Sequence, residues 1–350
     1  MKIGFRKTVL QIGILLFVLS TFVILSPERA NGAAIQEPGG KKRGERAVFG
    51  YSPRLILRFG AKEWTFPLKE AGFDGIDPTT LDRRLFFDWL RLAVEQEVNR
   101  PPRSAFYSGG KAVPHRRGVM VDRARLEEWL DVIHLYLNRP VPLPVVWSDP
   151  ELTTEKLFRL KERKLGTYTT LFNPYNLNRS HNIYLSVRAI DHVVLMPGET
   201  FSFNRVVGRR SVERGYRPAR IIVKGEYSEG IGGGICQTSS TLFNSVDQAG
   251  LLIVQRASHS KEVTYVPRER DATVSWGGPD FCFQNQLNEP VLILAEAKDG
   301  RLTVTVCGPD TIRHTRRHVP PPPGGIRETS LTGASSFGRA VFQGEPSKPD

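Results

Sequence analysis

Cysteine and methionine are both scarce in this 350-residue chain, three of each. Outside the cytoplasm, an odd number of thiols leaves at least one unpaired. Internal repeats and coiled-coil heptads are missing, which removes solenoids and long zippers from consideration. The triple glycine Gly232-Gly233-Gly234 lacks the lysine and hydroxyl of a P-loop, so nucleotide binding is not expected. Glu199, Glu213, Glu226 and Glu229 form no diagnostic carboxylate pair of the kind glycoside hydrolysis needs. His314 and His318 stand one helical turn apart, but arginines flank them and no carboxylate is near. No metal site is expected, and nothing in the chain calls for a cofactor.

Acidic residues are outnumbered, 36 against 49 basic ones, for a net charge of +13. That balance suits an anionic polymer such as teichoic acid, lipid head groups or the carboxylates of peptidoglycan; a plainly Arg-rich surface fits it equally. No recognised nucleic-acid motif accompanies the charge, and nucleic acid is not an expected partner. The chain opens on the basic stretch Met1-Lys2-Ile3-Gly4-Phe5-Arg6-Lys7, and residues 9–25 are apolar apart from Gln11, Gly13, Ser20 and Thr21. Residues 1–34 therefore read as a signal peptide or an N-terminal membrane anchor, the apolar run being long for the first and short for the second. Ala30 and Gly32 offer a cleavage site after Gly32, and the basic flank keeps the remainder outside in either case. The expected location is the outer face of the cytoplasmic membrane or the cell wall, with the membrane as a partner if the segment is retained.

Residues 35–50 read as a flexible basic linker. Between 51 and 150 the pattern is that of a small α+β module. It has an alternating strand at 62–68, and a helix capped by Thr79 or Thr80 with Leu81, Leu85, Trp89, Leu92 and Ala93 on one face. A second helix after Asp122 carries Leu126, Trp129, Leu130, Ile133 and Leu137, and short strands fall at 105–107 and 118–121. Trp64, Trp89 and Trp129 stand beside leucines at core spacing, although a sugar-stacking face would use the same residue type. Residues 165–309 read as a β-rich domain with two helices. One is capped by Asn178 or Ser180, with Ile183, Val187 and Ile190 inward; the other spans 237–248, with Leu242, Phe243 and Val246 buried and Gly250 as its stop. Strands are expected at 252–255, 263–266, 272–275, 281–283, 291–295 and 302–306. The fold class is α+β, and residues 310–350 read as a disordered Arg- and Pro-rich tail.

The densest signal is Gly232-Gly233-Gly234-Ile235-Cys236-Gln237-Thr238-Ser239-Ser240-Thr241-Leu242-Phe243-Asn244, in which three glycines deliver a lone thiol to a helix start. Open amides and the helix dipole favour a thiolate there. Cys236, His259 and Asp271 follow in an order compatible with nucleophile, base and orienting carboxylate, and amides 235–237 can serve an oxyanion. The competing reading makes Cys236 a small residue at a tight packing point and His259 a loop histidine satisfied by backbone.

Around this run stand Arg179 and Asn182, then Pro197-Gly198-Glu199-Thr200-Phe201-Ser202-Phe203-Asn204 and Val207-Gly208. After it come His259-Ser260, Tyr265-Val266-Pro267 and Arg270-Asp271-Ala272-Thr273-Val274. Together, over roughly residues 165–308, they resemble the VanW family. That family takes its name from an accessory protein found with glycopeptide resistance, so the resemblance implies a role at the cell wall without fixing a reaction. Trp64, Pro101-Pro102-Arg103-Ser104-Ala105-Phe106, Arg117-Gly118-Val119, Asp122 and residues 140–144 are similar to the peptidoglycan-binding module that often precedes VanW domains. This implies peptidoglycan or another anionic wall polymer as partner. The resemblance also supports a polar pocket shared by Asn204, Gln237 and Asn244 beside Gly233 and Gly234; Ser239 and Thr241 can instead bond helix carbonyls. Cys282 and Cys307 fall outside the family pattern, and two such departures in strand-like segments suggest a disulfide between them, independent thiols being the alternative. A further departure is Pro267-Arg268-Glu269-Arg270, where the family usually carries a glycine. The leading functional expectation is an exported protein that binds peptidoglycan or its precursors. Its competitor is a Cys-His peptidase or acyl transferase acting on wall peptides.

Overall fold

Residues 52–223 and 226–325 are described by the computed structural model of the chain; the N-terminal apolar segment, the basic linker and the end of the tail lie outside them. In the front part, strand Arg54–Phe59 pairs antiparallel with Lys62–Pro67 and parallel with Pro140–Pro142. The first helix begins later than the sequence suggests. Asp82, not Thr79 or Thr80, is its N-cap, accepting from the Arg84 amide at 2.9 Å, and the threonines belong to the short 3-10 turn Pro78–Thr80. Its inward face is Phe86, Leu90, Val94 and Val98, all buried, while Leu85 and Leu92 are exposed. Beyond Leu90 a π-helical stretch, Leu90–Glu95, widens the turn, keeps Leu90, Val94 and Val98 in phase on the core and carries Leu92 off it. Asp122 caps the helix Arg123–Asp131 as the spacing suggests, and Leu126, Leu130 and Ile133 are buried. Trp64, Trp89 and Trp129 pack partly buried against this core, whereas Trp147, on strand Val145–Ser148, is 43% exposed.

A short helix, Thr154–Arg159, leads onward, and its Leu157 joins Leu160, Ala105, Leu292 and Cys307 in a small buried cluster. The second part is built on an antiparallel sheet in the order Arg163–Leu171, Arg301–Gly308, Val291–Lys298, Val193–Leu195. Two helices, Leu177–Ile190 and Ile235–Gln248, supply Ile183, Val187, Ile190, Leu242, Phe243 and Val246 to the core on it. The second of these helices lies very close to the sheet at Gly166, where a Cβ would stand 2.3 Å from the Ser245 carbonyl oxygen. A smaller sheet orders Thr200–Ser202, Cys282–Gln284 and Leu252–Gln255, and a hairpin pairs Pro218–Val223 with Glu226–Ile231. The class is α+β.

Four expectations change. A third, short helix, Phe203–Val207, stands where only two were expected. Residues 263–266 and 272–275 form no strand. At the second of them the backbone is tied instead to side chains of helix Ile235–Gln248: Ser240 Oγ accepts from the Ala272 amide at 2.9 Å and Ser239 Oγ donates to the Ala272 carbonyl at 2.5 Å, while Asn244 Nδ2 donates to the preceding Arg270 O at 2.8 Å. A polar helix face replaces the ladder. Cys282 and Cys307 are both free, in different sheets. Cys282 Sγ lies 3.4 Å from an Asp280 carboxylate oxygen, and Cys307 is buried against Leu157 and Leu292. Finally, residues 310–325 are packed rather than disordered: Ile312 and Val319 are buried, and Tyr168 donates its hydroxyl to Pro320 O at 3.1 Å.

Candidate active site

The hairpin ends at Ile231, and the three glycines carry the chain into helix Ile235–Gln248 with Cys236 at its second position. Gly234 caps the helix at φ 106°, a conformation that L side chains rarely adopt. Gly233 is held by proximity: a Cβ there would lie 2.5 Å from Arg220 O, and Asn182 Nδ2 donates to the Gly233 carbonyl at 3.0 Å. Of the first-turn amides, Ile235 N–H donates to Gly232 O at 3.4 Å and Gln237 N–H to Gly234 O at 3.0 Å. Among the described residues only the Cys236 amide of these three is without a bond, so the expected three-amide oxyanion site narrows to one donor.

His259 and Asp271 arrive on the irregular segments that follow. Asp271 Oδ2 accepts from both the His259 main-chain N–H and the ring Nδ1, each at 2.6 Å, and both side chains are buried. With Nδ1 held there, Nε2 is the ring atom left for the thiol, and Cys236 and His259 sit close enough to shift each other's titration. The sulfur also lies 3.5 Å from Val274 O and 3.9 Å from Thr273 Oγ1. Burial opposes a thiolate at Cys236, but the neighbouring His259 outweighs it, and the thiol sits below its usual value. Burial likewise opposes an imidazolium, yet Asp271 and Cys236 together raise His259 to about 9. Asp271 is held below the ordinary carboxylate range by the two bonds from His259, against the effect of burial. The other two thiols run the opposite way, Cys282 being pushed up to about 11 by burial and Asp280, and Cys307 raised by burial. Of the three thiols, only Cys236 is shifted down.

Cys236 and His259 line a cleft of about 970 Å³. Its walls include Arg179, Arg210, Arg220, Tyr227, Tyr265 and Trp276. The Arg220 guanidinium lies 3.4 Å from the centre of the Tyr227 ring. The Tyr265 phenol, raised by burial and by the nearby sulfur, stays protonated. A smaller cavity of about 440 Å³ beside Gly250 and His314 is lined by no cysteine.

The expected polar pocket does not form as drawn. Gln237 does border the cleft, but its Nε2 donates to Thr170 Oγ1 and Leu171 O, both at 2.9 Å, and its Oε1 accepts from Arg179 Nη2 at 2.6 Å. It is a strut for Arg179. Asn244 is fully buried and tied to Ser240, and Arg270 Nε donates to its Oδ1 at 2.8 Å. Asn204 donates to Ser275 O and Pro279 O, at 2.9 and 3.0 Å, and shapes the loop behind the cleft. Arg210, Arg220, Tyr227 and Trp276 carry no signal in the sequence: in a basic chain such arginines read as surface, and the cleft assembles them from the hairpin (Arg220, Tyr227), the segment before it (Arg210) and the loop after Asp271 (Trp276).

Comparison with known proteins bears on this assembly. A family model described as VanW like protein matches residues 178–307. The uncharacterized protein YoaR of Bacillus subtilis (strain 168) is 48% identical over 275 residues, 78% of this chain and 88% of that protein. The chain belongs to the VanW-like family. Vancomycin B-type resistance protein VanW of Enterococcus faecalis (strain ATCC 700802 / V583) is 31% identical over 116 residues, 32% of this chain and 42% of that relative. No solved structure matches. The VanW-like span contains Cys236, His259, Asp271 and Arg210, whereas Thr170 and Leu171, which fix Gln237, precede it.

Within that span, the turn that departs from the VanW pattern keeps a glycine-like shape. Glu269 takes φ 64°, and Arg270 N–H donates to Pro267 O at 3.1 Å. A non-glycine residue in this region costs about 1–2 kcal/mol, part of which glycine's greater unfolded-chain entropy cancels. Glu269→Gly should therefore stabilise the protein by about 1 kcal/mol, read as a higher urea midpoint; an unchanged or lower midpoint would show that the Glu269 side chain contributes more than its backbone strain removes.

Proposed function

We propose that this VanW-like protein is an exported thiol enzyme that cleaves or transfers acyl groups on peptides of the cell wall. The observation that carries the reading is Cys236 and His259 on the wall of one cleft, each shifting the other's titration, with His259 fixed by two hydrogen bonds to Asp271. In the reaction, the Cys236 thiolate attacks the amide carbonyl carbon, forming a C–S bond and an oxyanion that the Cys236 amide can receive. His259 gives its Nε2 proton to the departing nitrogen, the C–N bond breaks, and a thioester remains with a neutral imidazole. Water or an acceptor amine then attacks the thioester, His259 takes its proton, and the C–S bond breaks to restore the thiolate and imidazolium. Asp271 keeps Nδ1 protonated throughout, so Nε2 faces the sulfur.

The cell wall as the place of action is supported by the basic and apolar start of the sequence, by the net charge of +13, and by a relative named for vancomycin B-type resistance. The front part, with its own core, would hold the enzyme to the wall. Incubating the full chain with muropeptides released from bacterial sacculi, and following their masses and new amino groups, tests the proposal. Cleavage or transfer that is lost in Cys236→Ala is the expected result; an unchanged muropeptide profile over prolonged incubation would contradict it.

A further inference from the structure

Arg210 lies on the chain between helix Phe203–Val207 and the hairpin and forms part of the cleft wall with Cys236. Its stem lies against the glycine turn before the cysteine, where a Cβ added at Gly232 would stand 2.9 Å from Arg210 Cβ. Nη1 donates to Asn204 Oδ1 at 2.7 Å and to Gly208 O at 3.2 Å, and the guanidinium carbon is 5.9 Å from the Phe203 ring centre. Every one of these partners is neutral. Nη2 is buried and has no hydrogen-bond partner among the described residues, and no carboxylate of those residues comes within ion-pair distance of Arg210. Asp280 feels its charge but is committed elsewhere, accepting from Ser202 Oγ at 2.6 Å and from the Asn204 amide at 2.8 Å.

A buried guanidinium with an unmade bond is unfavourable unless an anion completes it. Burial lowers the affinity of Arg210 for its proton, whereas the charge of Cys236 raises it, which places the two groups in one electrostatic environment. Of the anions that fit, a carboxylate matches the planar fork of arginine. The front of the cleft keeps an apolar side in Ile221, Ile222 and Trp276, as a peptide rather than a bare ion would need.

We propose that Arg210 is the substrate-recognition residue of the thiol site, and that the acyl donor is a peptide with a free carboxylate on the residue adjoining the bond that is cleaved. This rests on the reading of Cys236 as a nucleophile, and it narrows the substrate class to chain ends and carboxylate-bearing residues instead of blocked or internal amides. Arg210 acts by binding and takes no proton in the reaction.

The test reads occupancy, not turnover, so it separates this inference from the catalytic one. Full-length protein is alkylated with iodoacetamide, and modification of Cys236 is followed by peptide mass in the presence of two probes. One is a muropeptide mixture from bacterial sacculi; the other is the same mixture after carbodiimide amidation of its carboxylates. The native mixture should slow alkylation at least fivefold, and the amidated one less than twofold. Arg210→Gln should abolish the difference and Arg210→Lys should retain part of it, with melting curves showing that each variant is folded. Equal protection by both mixtures, protection by neither, or discrimination that survives in Arg210→Gln would overturn the assignment. Loss of muropeptide processing with discrimination intact would count against the enzyme reading and leave Arg210 as the carboxylate site of a binding cleft.

Discussion

Replacing Cys236 by alanine should reduce muropeptide cleavage or transfer to background, a fall of about 10⁴-fold or more on the scale seen when a nucleophile is removed from an assembled triad. The side chain can be removed with little structural consequence. Its sulfur makes only long contacts to Thr273 and Val274, and the turn around it is held by Gly233, Asn182 and the Gly234 cap. An undiminished melting temperature alongside lost activity would separate chemistry from folding. Cys236→Ser is the sharper variant, because it keeps the shape and a hydroxyl while raising the nucleophile's pKa far beyond what His259 can compensate. Retention of more than a tenth of wild-type processing in either variant would remove Cys236 from the mechanism.

Asp271→Asn should be nearly as damaging, at about 10³- to 10⁴-fold in kcat, through a different cause. Asp271 Oδ2 accepts two bonds from His259, one from the main chain and one from Nδ1. An asparagine oxygen in the same place can accept both bonds, but it carries no charge and so no longer holds the ring as an imidazolium beside the sulfur. The variant should also lose part of the depression of the Cys236 pKa, since the imidazolium is what outweighs burial there. The wild-type pH profile follows from the same groups with opposite signs. Thiolate is lost as pH falls through the lowered Cys236 value, and the protonated imidazole needed by the leaving group is lost as pH rises through about 9. A broad plateau between those limits is expected in wild type, and a narrower one at far lower rate in Asp271→Asn. A profile and rate unchanged by the substitution would mean that Asp271 has no part in orienting the base.

The grouping of Cys236, His259 and Asp271 was legible because glycines, cysteine, histidine and aspartate each have few uses in such a context, and because their order matched a known family. Helix spans were legible for the usual reason, the spacing of Ile183, Val187 and Ile190 or of Leu242, Phe243 and Val246. Extended segments were harder. Residues 263–266 and 272–275 have strand composition, but at 270–272 the backbone groups find Ser239, Ser240 and Asn244 instead of a neighbouring strand. The same event withdrew Asn244 from the expected pocket. The helix face at 81–93 was misjudged because a π turn changes the period that the reading assumes. Arg210 was invisible for a more general reason: a buried cation and a surface cation are the same letter, and only packing against Gly232 distinguishes them.

The most direct test of an activated Cys236–His259 pair is the pH dependence of Cys236 alkylation by iodoacetamide in the full chain, resolved from Cys282 and Cys307 by peptide mass, with and without His259→Ala. Activation predicts that Cys236 is modified first at neutral pH, with an apparent pKa below the usual thiol value. Removing His259 should push that pKa upward, because burial is then left unopposed, and a thiol pKa higher by one makes alkylation at neutral pH about tenfold slower. A Cys236 that titrates at or above the usual thiol value, with no response to His259→Ala, would contradict the pairing and the thiol chemistry built on it.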